Sequence, residues 1–177
     1  MSSKYKKIAL GVCGSIAAYK AGDIIRRLQD AGCSVKVVMT KEAEQFITPL
    51  TLAALSGQAV LKGMFDEDAW GMAHLQLVKE SDTLLIAPAT ANIIGKLANG
   101  IADDLLTTLA LAYKQDIWIA PAMNDDMYAN AIVSENCVKL KKHGYKFIAP
   151  IKGKLACGVT GVGHLAEVED IVKAVLK

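Results

Sequence analysis

Gly11-Val12-Cys13-Gly14-Ser15-Ile16 joins a short apolar run to a stretch of helical periodicity, and that arrangement can bind a phosphate. Glycines permit a tight turn and let a ligand come close to the backbone. The start of the following helix offers free N–H groups and the positive end of a dipole, which suit an anion. The Ser15 hydroxyl fits two roles, capping that helix or binding the phosphate. The spacing is G-x-x-G-S, not the G-x-G-x-x-G of dinucleotide sites, and the second apolar run ends in Met39-Thr40, where such sites place an acid for the ribose. A mononucleotide with a phosphate tail is the better match, and Thr40 offers it one hydroxyl.

Two further apolar runs end in Ala-Pro: IAPATANI, residues 86–93, and IAPAMN, residues 119–124. Proline has no N–H to give, so each is expected to stop a strand. The small residues beyond leave room for a flat ring against backbone groups. Past the second proline, PAMNDDMY mixes two methionines with Asn124, Asp125 and Asp126. Asn124 fits a turn residue, or an amide whose two N–H groups receive a carboxylate without a full ion pair. Met123 and Met127 offer a soft apolar surface around a ligand. Asp125 and Asp126 fit the first turn of a helix, where negative charge is favourable, better than a metal site or a catalytic role. Asp103 is likewise expected to be an acid at a helix start. His74 alone fits a surface or core position, or a base near neutral pH. His143 is expected to be exposed near a helix end. Cys157 lies in the Gly-rich stretch KGKLACGVTGVGH, expected to be a loop or flap.

These residues need a sheet to carry them. KIALGV, CSVKVVMT, DTLLIA, DIWIA and YKFIAP read as buried strands alternating with helical stretches. Ser15 is expected to cap a helix running to Gly32, Thr48-Pro49 to start the next, and ANIIGKLANGIADDLLTTLALAY to form one long helix. Ser134 is expected to cap the helix ending at Gly144. The alternation predicts an α/β fold: a single doubly wound, Rossmann-like or flavodoxin-like parallel sheet over residues 1–177, with helices on both faces. Ligands in such sheets bind beyond the carboxyl ends of the strands, where each of the segments above falls.

The composition agrees. The 177 residues are 53% hydrophobic and 21% charged, which suits one domain with one core. No apolar run is long enough to cross a membrane, and MSSKYKK leads directly into the first strand without an apolar leader core. Four scattered cysteines without a CxxC pair argue against zinc and a disulfide framework, and for a cytoplasmic setting. A net charge of +2, without a basic stripe, makes nucleic acid an unexpected partner.

Taken together, GSIAAYK, HLQL, PATANI, GIADDLL, PAMNDDMY and ACGVTGVGHLAE, in this order, resemble the homo-oligomeric flavin-containing cysteine decarboxylases over essentially the whole chain. The sequence departs from that family's motifs at Thr90 and Ile93, at Tyr128, and at His164-Leu165. The resemblance implies FMN, with Gly14, Ser15, Ile16, Thr40, Thr90, Ala91, Asn92, Ile93 and Ala122 as cofactor-binding residues. It implies a homotrimer completed by neighbouring subunits, or a dodecamer built from such trimers. It also implies the reaction, loss of CO2 from 4′-phospho-N-pantothenoylcysteine to give 4′-phosphopantetheine, on the way to coenzyme A. His74 would be the base that assists oxidation of the substrate thiol. Asn124 would bind the substrate carboxylate beside Met127, and Cys157 would close over substrate and donate a proton. No metal is implied. A freestanding enzyme is expected, because the chain ends after the decarboxylase part. A peptidyl-cysteine decarboxylase and a non-catalytic flavin-binding relative are the alternatives. The Gly-rich segment speaks against the first, and His74 together with Cys157 against the second.

Overall fold

Residues at alternate positions of Lys7–Val12 enter two different cores. Ile8, Leu10 and Val12 pack with one set of helices, and Ala9 with the other. This period of two is what a strand covered on both faces requires. The structure, a computed structural model, describes residues 6–64, 73–154, 158 and 160–177, save the side chains of 73, 74 and 154. In chain order its elements are β1 (Lys7–Val12), α1 (Ala21–Asp30), β2 (Ser34–Met39), α2 (Pro49–Ser56), α3 (Ala73–Glu80), β3 (Thr83–Ala89), α4 (Ala91–Ala98), α5 (Leu105–Ala112), β4 (Asp116–Pro121), α6 (Asp125–Ala129), α7 (Ala131–Lys142), β5 (Lys146–Phe147), β6 (Ile151–Lys154), β7 (Thr160–His164) and α8 (Val168–Leu176). Short 3-10 turns at Ile16–Lys20 and Lys41–Gln45 follow β1 and β2.

Five strands form one parallel sheet in the order β2-β1-β3-β4-β5. Helices α1, α2 and α8 bury Ile24, Ile25, Leu28, Leu52 and Ile171 on one face. Helices α3, α4, α5 and α7 bury Leu77, Ile94, Leu109 and Leu140 on the other. Each such side chain contributes roughly 1.5–3 kcal/mol by leaving water. On this second face β1 carries Gly11, because a Cβ there would meet Leu106 Cδ1 at 2.6 Å. The doubly wound α/β fold expected from the strand–helix alternation is therefore present. No helix among the described residues is long and apolar enough to cross a membrane.

Several boundaries differ from the expectations. The stretch after β3 is two helices, because Gly100 takes φ +68° and Asp104 starts a second helix. Ser15 caps the 3-10 turn Ile16–Lys20, and α1 begins only at Ala21. Asn130, not Ser134, caps α7; its side chain accepts from the Ile132 N–H at 2.9 Å. Pro121 is the last residue of β4, as expected, but Pro88 does not stop β3, which runs on to Ala89. Ala89 pairs with Pro121 past a register shift, and the Pro88 carbonyl accepts from the Cys13 N–H at 3.3 Å. Proline lacks a donor but keeps its acceptor, so the ladder continues on that side. The fifth strand shortens to two residues, and the Gly-rich stretch contributes both strands of an antiparallel hairpin, β6–β7. Thr48 does cap α2 with Pro49 in its first turn, and His143 is exposed at the end of α7.

The α4–α5 junction sets the position of Asp104. Its carboxylate accepts from the Thr107 N–H at 2.8 Å, and Thr107 Oγ1 accepts from the Asp104 N–H at 3.2 Å, a reciprocal cap. Lys96 Nζ bridges Asp103 at 2.8 Å and Asp104 at 3.2 Å, which holds both carboxylates against α4. Asp103 stands just before the cap and pairs with lysine, so the expected helix-start role belongs to its neighbour. Asp104→Ala is expected to cost about 1–2 kcal/mol in urea unfolding. Asp103→Ala, at an exposed ion pair, is expected to leave the midpoint nearly unchanged.

Candidate functional site

Chain direction reverses at β1. From there the chain moves outward to β2, then returns past β1 to β3, so the loops leaving β1 and β3 turn to opposite faces. A cleft of about 730 Å³ opens there, at the carboxyl ends of β1 to β4. Its walls are the 13–20, 40–46, 90–93, 122–127 and 163–165 segments. Gly14, Ser15, Ile16, Thr40, Thr90, Ala91, Asn92, Ile93, Ala122, Asn124 and Met127, all singled out from the sequence, line it together.

At the β1 end, Ser15 Oγ accepts from the Ala17 N–H at 3.3 Å and donates to the Ala122 carbonyl at 3.4 Å. The cap role is thus realised, and it ties the β1 loop to the β4 loop. Gly14 has a packing reason to be glycine, since a Cβ would run into the Glu42 Cβ on the turn after β2. Thr40 carries the most informative atom. It is 7% exposed, stands at the N-cap of Lys41–Gln45 without capping it, and its Oγ1 has no hydrogen-bond partner among the described residues. A buried orphan hydroxyl costs about 1–3 kcal/mol, so a polar atom of a ligand in the cleft is the natural partner.

The β3 end presents Thr90 as the N-cap of α4, its Oγ1 accepting from the Ile93 N–H at 3.3 Å. Ile93 itself is buried and contributes an apolar wall. Behind it Cys13 lies on the floor, its thiol pushed up from 9.0 to about 12 by burial, with Asp104 and Glu42 adding to the rise and the Thr90 backbone opposing it. Cys13 is therefore a neutral thiol, not a nucleophile.

On the β4 side, Ala122 N–H donates to the Ala89 carbonyl at 2.9 Å. Asn124 caps α6, its Oδ1 accepting from the Met127 N–H at 3.3 Å and its Nδ2 donating to Asp125 Oδ1 at 3.1 Å. Asp125 and Asp126 occupy the first turn of α6, as expected. Strand β7 lies directly against this loop: Met123 N–H donates to the Gly163 carbonyl at 3.0 Å, and a Cβ at Gly163 would strike the Met123 carbonyl. His74 is the second residue of α3, with a side chain outside the described residues. Cys157 also lies outside the described residues.

Sequence reasoning passed over Lys20, Tyr19, Phe46, Glu42, Asp104 and His164, all of which line the cleft. Lys20 is the only lysine or arginine among the described lining residues. His164 Nδ1 donates to the Leu165 carbonyl at 2.9 Å, which leaves Nε2 as the other ring nitrogen. Lys20 stands within the GSIAAYK segment and Asp104 within GIADDLL, and both could have been found there; Phe46 carries no local signal. Ile16, Tyr19, Phe46 and Met127 are between 46% and 59% exposed, which leaves the mouth with an apolar rim. Among the described residues no cluster of His, Cys, Asp and Glu could hold a metal ion.

The model of the family described as Flavoprotein matches residues 1–177. The chain is 46% identical to the probable phosphopantothenoylcysteine decarboxylase of Streptococcus mutans, covering 96% of this chain and 97% of that protein. It is also 46% identical over 168 residues to the Coenzyme A biosynthesis bifunctional protein CoaBC of Vibrio vulnificus; this covers 94% of the chain but only 42% of that longer protein. Among solved structures, a PPC decarboxylase cysteine-to-serine mutant complexed with pantothenoylaminoethenethiol superposes with a TM-score of 0.87 at 33% identity, covering 98% of this chain and 97% of that one. The FMN-dependent cysteine decarboxylase SpaF superposes at 0.85 with 32% identity, covering 98% and 96%.

Thr40→Val keeps the shape of the side chain and removes the orphan hydroxyl. Without ligand, the variant is expected to be more stable than the wild type by about 1 kcal/mol in urea unfolding. A loss of stability instead would mean that the hydroxyl has a partner within the protein.

Proposed function

Since this chain belongs to the flavoprotein family, we propose that it holds FMN in the cleft and decarboxylates 4′-phospho-N-pantothenoylcysteine to 4′-phosphopantetheine. The observation that carries this reading is the buried Thr40 hydroxyl, without a partner among the described residues, in a cleft whose other walls are the glycine turn and the two Ala-Pro loops. The substrate is supported by two relatives of 46% identity, one named a probable phosphopantothenoylcysteine decarboxylase and one named for coenzyme A biosynthesis. Residues 1–177 act as one flavoprotein domain.

The residues present fit the cofactor. Thr40 Oγ1 and the backbone of Gly14, Ser15 and Ile16 would take polar atoms of FMN, and Lys20 adds positive charge to this wall. Thr90, Ala91, Asn92, Ile93 and Ala122 would bound the ring with small or apolar surface. When bound, FMN supplies a two-electron acceptor and donor. His74 takes the proton that leaves the substrate thiol. The Asn124 amide receives the substrate carboxylate, and Met127 packs beside it. A neutral amide orients the carboxylate without the ground-state stabilisation that a lysine or arginine would add, so CO2 is freer to leave. Cys157, on the segment joining β6 to β7, gives a proton to the enethiolate that remains; an ordinary thiol is protonated at neutral pH.

The apolar rim of Ile16, Tyr19, Phe46 and Met127 supports a neighbour over the mouth. The active form is a homotrimer, or a dodecamer of such trimers, in the cytoplasm.

Purified protein is expected to be yellow and to release FMN on denaturation. Asn124→Asp is expected to keep FMN and lose decarboxylation by about 100-fold, because the new charge repels the substrate carboxylate. Near-wild-type turnover in that variant would remove Asn124 from the mechanism. Light scattering is expected to give a mass that is a multiple of three chains, and an active monomer would contradict the shared mouth.

A further inference from the structure

Asp125 does more than start a helix. Its Oδ1 accepts from Asn124 Nδ2 at 3.1 Å. The other end of the same amide is fixed as well, because Asn124 Oδ1 accepts from the Met127 N–H at 3.3 Å. Two opposed hydrogen bonds on one amide leave a single orientation. Asp125 is in turn held from outside. A Cβ at Gly161 would overlap the Asp125 carboxylate, so the side chain lies flat against β7 where that strand has no side chain. Two residues on, Gly163 makes the same allowance for the Met123 carbonyl and receives the Met123 N–H. Gly161 and Gly163 therefore share one face of β7, and residues 123–125 press into it, while Val162 between them is 45% exposed. Asp126, one residue further, shares the helix start but is exposed and makes none of these contacts.

We propose that Asp125 is the positioning residue of the carboxylate site: seated on the glycine face of β7, it takes a hydrogen bond from Asn124 Nδ2 and so fixes the orientation of the amide that receives the substrate carboxylate. The inference rests on the reading that Asn124 receives that carboxylate. It assigns the G-x-G spacing of β7 a function beyond mobility. Strand β7 and the loop that carries Asn124 are joined by the Asp125 side chain and by the Met123–Gly163 hydrogen bond.

The test uses holoenzyme with its flavin reduced under anaerobic conditions, so that bound substrate does not react. Calorimetry then measures the binding of phosphopantothenoylcysteine and of phosphopantetheine, which lacks the carboxylate. Asp125→Ala is expected to bind the first about ten-fold more weakly and the second as the wild type does. Asp125→Asn, which keeps an acceptor oxygen, is expected to restore most of the loss, and Asp126→Ala to match the wild type. In an Asn124→Ala background, Asp125→Ala is expected to have no further effect. Equal weakening for both ligands, or a full additional ten-fold loss without Asn124, would overturn the positioning role. If wild-type enzyme turns over the substrate and Asp125→Ala binds it normally, the inference fails alone. If wild-type enzyme binds neither ligand, the functional reading fails and the inference with it.

Discussion

The reversal of chain direction at β1 is the constraint on which the rest depends. A parallel sheet ordered β2-β1-β3-β4-β5 has one place where neighbouring strands send their loops to opposite faces. No connection can close that crevice, so it must be filled by a ligand or by water. The backbone turns the need into a site. Glycine at 14 lets the turn after β2 approach, and Ser15 reaches across to the Ala122 carbonyl. Thr40 is left with a hydroxyl that nothing in the described chain satisfies. Burial on both faces of the sheet makes this arrangement rigid, since β1 and β3 are covered by apolar helices along their length.

The opposite wall follows a different logic. There the loop after β4 is shaped by contact with β7 rather than by the sheet. Two glycines on one face of that strand admit the backbone and side chain of residues 123–125. The result is an Asn124 amide whose two ends are assigned by hydrogen bonds to Met127 and Asp125. A pocket that holds a flavin on one side and presents an oriented neutral amide on the other suits a reaction in which a carboxylate must be placed without being stabilised. Cys13, buried and neutral on the floor between them, adds no competing nucleophile.

Much of this was legible in the sequence because it is local. The five strands, the ligand edge, the Thr48 cap and the acidic start of α6 each follow from a few adjacent residues. Eleven residues named from motifs meet in one cleft for the same reason: each lies within a short segment at a strand end. What was missed depends on distant pairing. The helix break at Gly100 was hidden by apolar residues on both sides, and only the Lys96 bridges to Asp103 and Asp104 show why it holds. The reach of Pro88 into the ladder required β1 as a partner. The glycines of β7 read as a mobile flap because nothing nearby in sequence identifies Met123 and Asp125 as the groups they make room for.

The central claim is that this cleft removes CO2 from a cysteine-derived carboxylate. The direct measurement is mass spectrometry of phosphopantothenoylcysteine after incubation with the purified flavin-loaded protein. The account predicts complete conversion to a species lighter by one CO2, identical to authentic 4′-phosphopantetheine. Substrate recovered unchanged, with FMN bound and the protein folded, would contradict it.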